Sequence, residues 1–95
     1  MFLLSCSRLH TTTLTYRNKQ YNAHVLSSTD KEPHFHWLLF TDEELLLHTG
    51  GEDNVCFQMI NGELVCSSLI LRIKVPALVD TARMIIEQYL KVQQK

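Results

Sequence analysis

Two stretches near the start of the chain have the hydrophobic and polar patterns of partly exposed β-strands. Residues 9–16 are rich in threonine, and residues 20–26 place apolar side chains at every second position. Asn18 and Lys19, which lie between the two stretches, are predicted to form a two-residue turn, because asparagine tolerates the left-handed backbone that such turns require. The resulting register pairs residues on one mostly apolar face: Tyr16 with Tyr21, Leu14 with Ala23, and Thr12 with Val25.

A third strand is predicted to begin near His34, because Pro33 cannot donate a hydrogen bond within a sheet. Phe35, Trp37 and Leu39 point to one side of this strand. The other side also carries apolar residues, Leu38 and Phe40 among them. A strand that is apolar on both faces is typical of the centre of a sheet, and we expect it to be covered on both sides near its end.

A helix-start signal follows this strand directly. Thr41 with Glu44 three residues later forms a capping box, and the glycines at positions 50 and 51 are a helix stop. The sequence therefore predicts a short helix over residues 42–48. Because two turns are too short to be stable alone, this helix is expected to pack on the strand before it through Leu45 and Leu46.

The strongest turn signal in the chain is Asn61-Gly62, which lies between strand-like residues 55–60 and 63–67. The predicted register of this hairpin pairs three sets of residues: Met59 with Leu64, Phe57 with Cys66, and Val55 with Ser68. Cys56 and Cys66 then lie on opposite faces, so this register excludes a disulfide between them.

Residues 69–75 also alternate, which predicts a further strand, although a helix capped by Ser67 or Ser68 is the alternative. Pro76 favours the strand because it disfavours a helical backbone at Val75. Beyond Pro76 the hydrophobic period is that of a helix. The apolar stripe of this C-terminal helix comprises Leu78, Val79, Ala82, Ile85, Ile86, Tyr89 and Leu90.

These elements predict one small α+β domain over residues 1–95, with residues 1–8 and 92–95 expected to fray. Its fold is a single antiparallel sheet of about five or six strands, in the order β-β-β-α-β-β-(β)-α, with the C-terminal helix packed on one face. A chain of 95 residues can form one modest core.

Charge and cysteine content narrow the classes of function. Nine basic and ten acidic residues give a net charge of −1, and the basic residues are scattered instead of forming a stripe. Binding to nucleic acid or to an anionic membrane is therefore not expected. The three cysteines include no close pair of the kind that zinc and redox sites use, which favours a reduced, cytoplasmic environment.

The histidines are the main candidates for chemistry. His34 and His36 are two residues apart on a strand, so both imidazoles leave the same face, about 7 Å apart. If the second strand pairs with the third, His24 could lie on that side too, and Asp30 and Glu32 could add oxygen ligands. Three histidines would suit zinc or a redox-active metal. The alternative is that these histidines only occupy the water-facing side of a sheet.

No catalytic set is evident elsewhere in the sequence. A reactive cysteine needs a nearby base or a helix start, which neither Cys56 nor Cys66 is predicted to have. There is also no glycine-rich phosphate loop, and no cofactor is implied. We therefore expect a non-enzymatic protein-interaction or accessory module, whose partner could be a second copy bound through a free sheet edge or the margin of the last helix. The alternative is a metal-binding protein or metalloenzyme that uses His24, His34 and His36.

Overall fold

The computed structural model describes residues 10–29 and 31–93. The predictions for residues 1–9, for Asp30 and for residues 94 and 95 lie outside this part of the chain. The elements, in order, are β1 (His10–Tyr16), β2 (Lys19–Ser28), β3 (Phe35–Leu39), α1 (Glu43–Thr49), β4 (Asn54–Ile60), β5 (Glu63–Cys66), α2 (Leu69–Lys74) and α3 (Pro76–Gln93).

The five described strands form one antiparallel sheet in which every strand pairs with its neighbours in sequence, so that β3 is central. All three helices contribute buried residues to one hydrophobic core on one side of this sheet, and α3 packs against β1, β3, β4 and β5. We call this side the covered face. The predicted α+β class, the single antiparallel sheet and the position of the C-terminal helix are confirmed.

The periodicity of α3 matches its burial. Leu78, Ala82 and Ile86 are fully buried and lie on the side of the helix that faces the sheet. Among the described residues, no helix has both the length and the hydrophobicity that crossing a bilayer requires.

The first hairpin turns one residue earlier than predicted. Arg17 and Asn18 form the turn, with φ angles of 54° and 65°, and Leu14 consequently pairs with Tyr21 instead of Ala23. Two consecutive left-handed residues are what a hairpin turn with the native strand twist requires. Because moving the turn by one residue changes each partner by two positions, every side chain remains on its predicted face.

The second hairpin has the predicted register. Asn61 and Gly62 form its turn, and Phe57 pairs with Cys66. The predicted pair of Val55 with Ser68 does not form, because β5 ends at Cys66 and Ser68 caps α2. Cys56 and Cys66 are free and lie on opposite faces of the hairpin, as predicted.

The N-cap of α1 is Asp42, not Thr41. Its carboxylate accepts hydrogen bonds from the backbone amides of Glu44 at 2.9 Å and Leu45 at 3.4 Å. An anion at this position also interacts favourably with the helix dipole. Glu44 does not close the predicted capping box, because its side chain instead accepts hydrogen bonds from Lys19 at 2.5 Å and from the Tyr21 hydroxyl at 3.2 Å. These two bonds tie α1 to β2.

Residues 69–74 form a helix, so the prediction of a further strand was wrong and its alternative was correct. The Ser68 hydroxyl accepts a hydrogen bond from the Leu71 amide at 3.3 Å and caps α2. Leu71 is the buried residue of this helix, whereas its three other aliphatic side chains are exposed. Pro76 marks the break between α2 and α3, because Val75 before it leaves the helical backbone conformation.

Candidate functional site

The three histidines considered for metal binding do not converge. In the pairing of β2 with β3, His24 lies opposite Leu39 and His36 lies opposite Ser27. Since neighbouring residues of a strand point to opposite faces, His36 is on the covered face and His24 is on the other. The His34 Nε2 atom lies 2.9 Å from a carboxylate oxygen of Glu32. Within residues 10–29 and 31–93, no three His, Cys, Asp or Glu side chains form a group that could hold a metal.

His36 forms a pair with Ser27 that the sequence analysis did not anticipate. Its Nδ1 atom lies 2.7 Å from the Ser27 Oγ atom, and the imidazole is only 2% exposed. Burial lowers the pKa of His36, and the nearby His34 lowers it further. A serine beside a histidine can act as a nucleophile and its base, but only where a substrate can reach the pair. This imidazole is enclosed in the core, so its hydrogen bond is best understood as satisfying a buried polar side chain.

The apolar residues next to His36 in the sequence indicate that this histidine is buried. His36 shares its strand face with Leu38 and Phe40, both of which are buried. An alternating strand pattern predicts that His36 is buried along with them.

An open groove of about 400 Å³ lies between β1 and α3. Its walls include His10 and Tyr89, whose rings are 4.8 Å apart. The other side chains that line the groove are Thr12, Ile85, Gln88 and Val92. The lining combines the His10 imidazole and the hydroxyls of Thr12 and Tyr89 with aliphatic side chains, and it contains no carboxylate or thiol.

The second face of the sheet is not covered by any described helix, and we call it the open face. Its residues are all partly or fully exposed, and its centre is apolar. Trp37 on β3 lies between Leu26 on β2 and Cys56 on β4. The Phe35 ring stacks beside Trp37, with a distance of 6.0 Å between ring centroids. The prediction that β3 is covered on both sides is therefore wrong for the described part of the chain.

Polar residues surround this apolar centre. The described residues of the open face are Thr11, Thr13, Thr15, Gln20, Asn22, His24, Leu26, Ser28, Phe35, Trp37, Leu39, Asn54, Cys56, Gln58, Ile60, Glu63, Val65 and Ser67. They include one carboxylate, Glu63 on the edge strand β5, and no lysine or arginine. Threonines of β1 form the opposite border. An apolar centre with a polar border is typical of protein–protein interfaces.

The cysteine of the open face is not activated. Burial raises the pKa of the Cys56 thiol, and a hydrogen bond with Ser67 offsets only part of this effect. Cys66 lies on the covered face and its thiol donates to the Ser68 carbonyl at 3.6 Å. Both environments favour an unreactive thiol.

A second apolar surface lies on α2. Leu69, Ile70 and Ile73 are between 60% and 71% exposed, and we call these three residues the α2 patch. The patch is small and purely aliphatic, whereas the open face has two aromatic rings at its centre.

The chain matches no protein-family model, and no curated protein or solved structure is significantly similar to it. Any proposal about function therefore depends on the surfaces of this chain.

Proposed function

We propose that the protein is a non-enzymatic interaction module that contacts other protein chains through the open face. The observation that carries this proposal is the Phe35–Trp37 pair at the centre of an uncovered, nearly uncharged sheet face. Contiguous apolar patches with polar borders mark interaction sites on soluble proteins. Tryptophan is also enriched among the residues that contribute most to binding energy.

A reduced, cytoplasmic setting is part of this proposal. Cys56 and Cys66 are both free, and their positions on opposite faces keep them from pairing with each other. Stable disulfides are rare in the cytosol, where thiols are kept reduced.

The metal-binding alternative has less support. His24 and His36 lie on opposite faces of the sheet, so a single ion cannot be bound by both without disruption of β2 or β3.

The exposed margin of α3, where Met84 and Val92 are each 65% exposed, is a further surface that could take part in binding. Met84 carries a thioether, and Val92 lines the groove beside Tyr89, so this margin is the second candidate surface.

Site-specific photo-cross-linking tests the proposal. A photoreactive amino acid is placed at position 65, where Val65 is 38% exposed on the open face, or at position 70, where Ile70 is 60% exposed on α2. In lysate of the cells that produce the protein, position 65 should cross-link to specific protein chains, including copies of this chain, and excess unlabelled protein should compete. The control at position 70 should give few such products. Equal cross-linking from both positions, or none from position 65, would contradict the proposal.

A further inference from the structure

We infer that the occupant of the open face is a second copy of this chain, so that two sheets pack face to face around a twofold axis. This inference rests on the proposed function and names the partner for the same surface. The charge, the size and the side-chain arrangement of the open face favour a second copy as the partner.

Charge favours a partner that is itself uncharged. The open face has no lysine or arginine among the described residues, and its one carboxylate, Glu63, lies on an edge strand. An acidic partner or an anionic membrane would find no cation to pair with here. A second open face meets this requirement, because its centre is equally free of charge and brings no like charges together.

The size of the face suits a weak, reversible dimer. Five strands spaced about 4.8 Å apart, with about five residues each, give a face of roughly 24 by 17 Å, or about 400 Å² in projection. Two such faces amount to about 800 Å² in projection, which is below the roughly 1,200–2,000 Å² of standard interfaces and typical of weak, transient contacts. An interface of this size is expected to be reversible, with a Kd of roughly micromolar or weaker.

The arrangement of side chains suits packing of one sheet on another. Trp37 lies on the central strand, and Leu26 and Cys56 flank it across the sheet. Two such sheets would pack about 10 Å apart with their strands nearly aligned, so that rings and aliphatic side chains from both copies interdigitate. In a twofold dimer the same patch is used by both copies, and the polar borders then meet water on both sides.

Sedimentation velocity over a range of protein concentrations tests this inference. The wild-type chain should shift from its 11.0 kDa monomer mass to twice that mass as the concentration rises through the micromolar range. Val65→Lys should raise the Kd about fivefold or more, because the twofold axis brings two lysine side chains to an otherwise nearly uncharged contact. Lysine is well tolerated on exposed edge strands, so this variant should remain folded.

Ile70→Lys is the matched control, since it makes the same kind of change on the exposed α2 patch. Its Kd should stay within about twofold of wild type. Ile60→Lys, also exposed on the open face, provides a second disruptive variant. Circular dichroism melting of each variant shows whether the fold is retained.

A wild-type chain that stays monomeric throughout, or a dimer that Ile70→Lys weakens and Val65→Lys does not, would overturn the inference. The proposed function can be judged separately. If the chain is monomeric but position 65 still cross-links to another protein, the second-copy inference fails and the interaction function stands. If those cross-links are also missing, both fail.

Discussion

Replacing Phe57 with alanine tests the division of the sheet into a covered and an open face. Phe57 is fully buried beneath α3, and the guanidinium carbon of Arg83 lies 5.7 Å from its ring centre. Loss of a buried phenylalanine side chain costs about 3–5 kcal/mol, because the transfer free energy is lost and a cavity remains. A domain of 95 residues has a total stability of roughly 5–14 kcal/mol, so the variant should be strongly destabilised.

Urea unfolding followed by far-UV circular dichroism provides the measurement, at a protein concentration well below the dimer Kd. The matched control is Gln58→Ala, one residue further along β4 but on the open face, which should change the free energy of unfolding by about 0.5 kcal/mol or less. If Phe57→Ala does not fold, Phe57→Leu should show a smaller loss of the same sign. A Gln58→Ala variant that loses as much stability as the Phe57 variants would refute the assignment of faces.

Three further predictions concern single residues. Burial holds the pKa of His36 below its ordinary 6.5, so the imidazole binds a proton more readily in the unfolded chain than in the folded one. The free energy of unfolding should therefore fall as the pH drops below 6.5 towards the lowered pKa. Urea titrations at several pH values should show a smaller pH dependence in His36→Asn. Asp42→Ala should lower stability by about 0.5–2 kcal/mol, whereas Thr41→Ala should have little effect; equal losses would contradict Asp42 as the cap. Gly50→Ala should lower the melting temperature, because φ is +70° and the added Cβ would lie 2.9 Å from Lys74 Nζ; an unchanged melting temperature would contradict this.

The turn and register of the second hairpin could be predicted because its turn residues determine its register. Asn61-Gly62 strongly favours one turn type, and that turn fixes which residues pair in β4 and β5. The first hairpin lacks a glycine, so its turn at Arg17 and Asn18 could be located only to within one residue. The predicted face of each side chain in this hairpin was still correct, because moving the turn by one residue changes each pairing partner by two positions.

The identity of α2 depended on tertiary structure. Residues 69–75 fit an alternating strand pattern, yet the chain forms a helix in which Leu71 alone is buried among residues 69–74. The local sequence contains a strand pattern, which favours a strand, and a serine cap, which favours a helix. Packing against α3 decides for the helix. The same competition moved Glu44 from its expected capping role to Lys19, which is distant in sequence.

The sequence also could not predict that one sheet face is uncovered, or on which faces the histidines lie. The connection between β2 and β3 contains no short turn that fixes their register, so either face was possible for His24 relative to His36. The apolar residues Phe35, Trp37 and Leu39 did indicate a second hydrophobic face. The sequence pattern gives no means to tell a face covered by a helix of the same chain from one left for a partner.

Trp37 is the only tryptophan in the chain, so its fluorescence reports on the centre of the open face. Acrylamide quenching of this fluorescence at increasing protein concentrations tests most directly whether the face is buried between chains. Quenching should decrease as the wild-type concentration passes through the dimer Kd, and it should stay high over the same range in Val65→Lys. Equal quenching at every concentration in both proteins would show that the open face remains exposed to solvent and would contradict its role as an interface between copies.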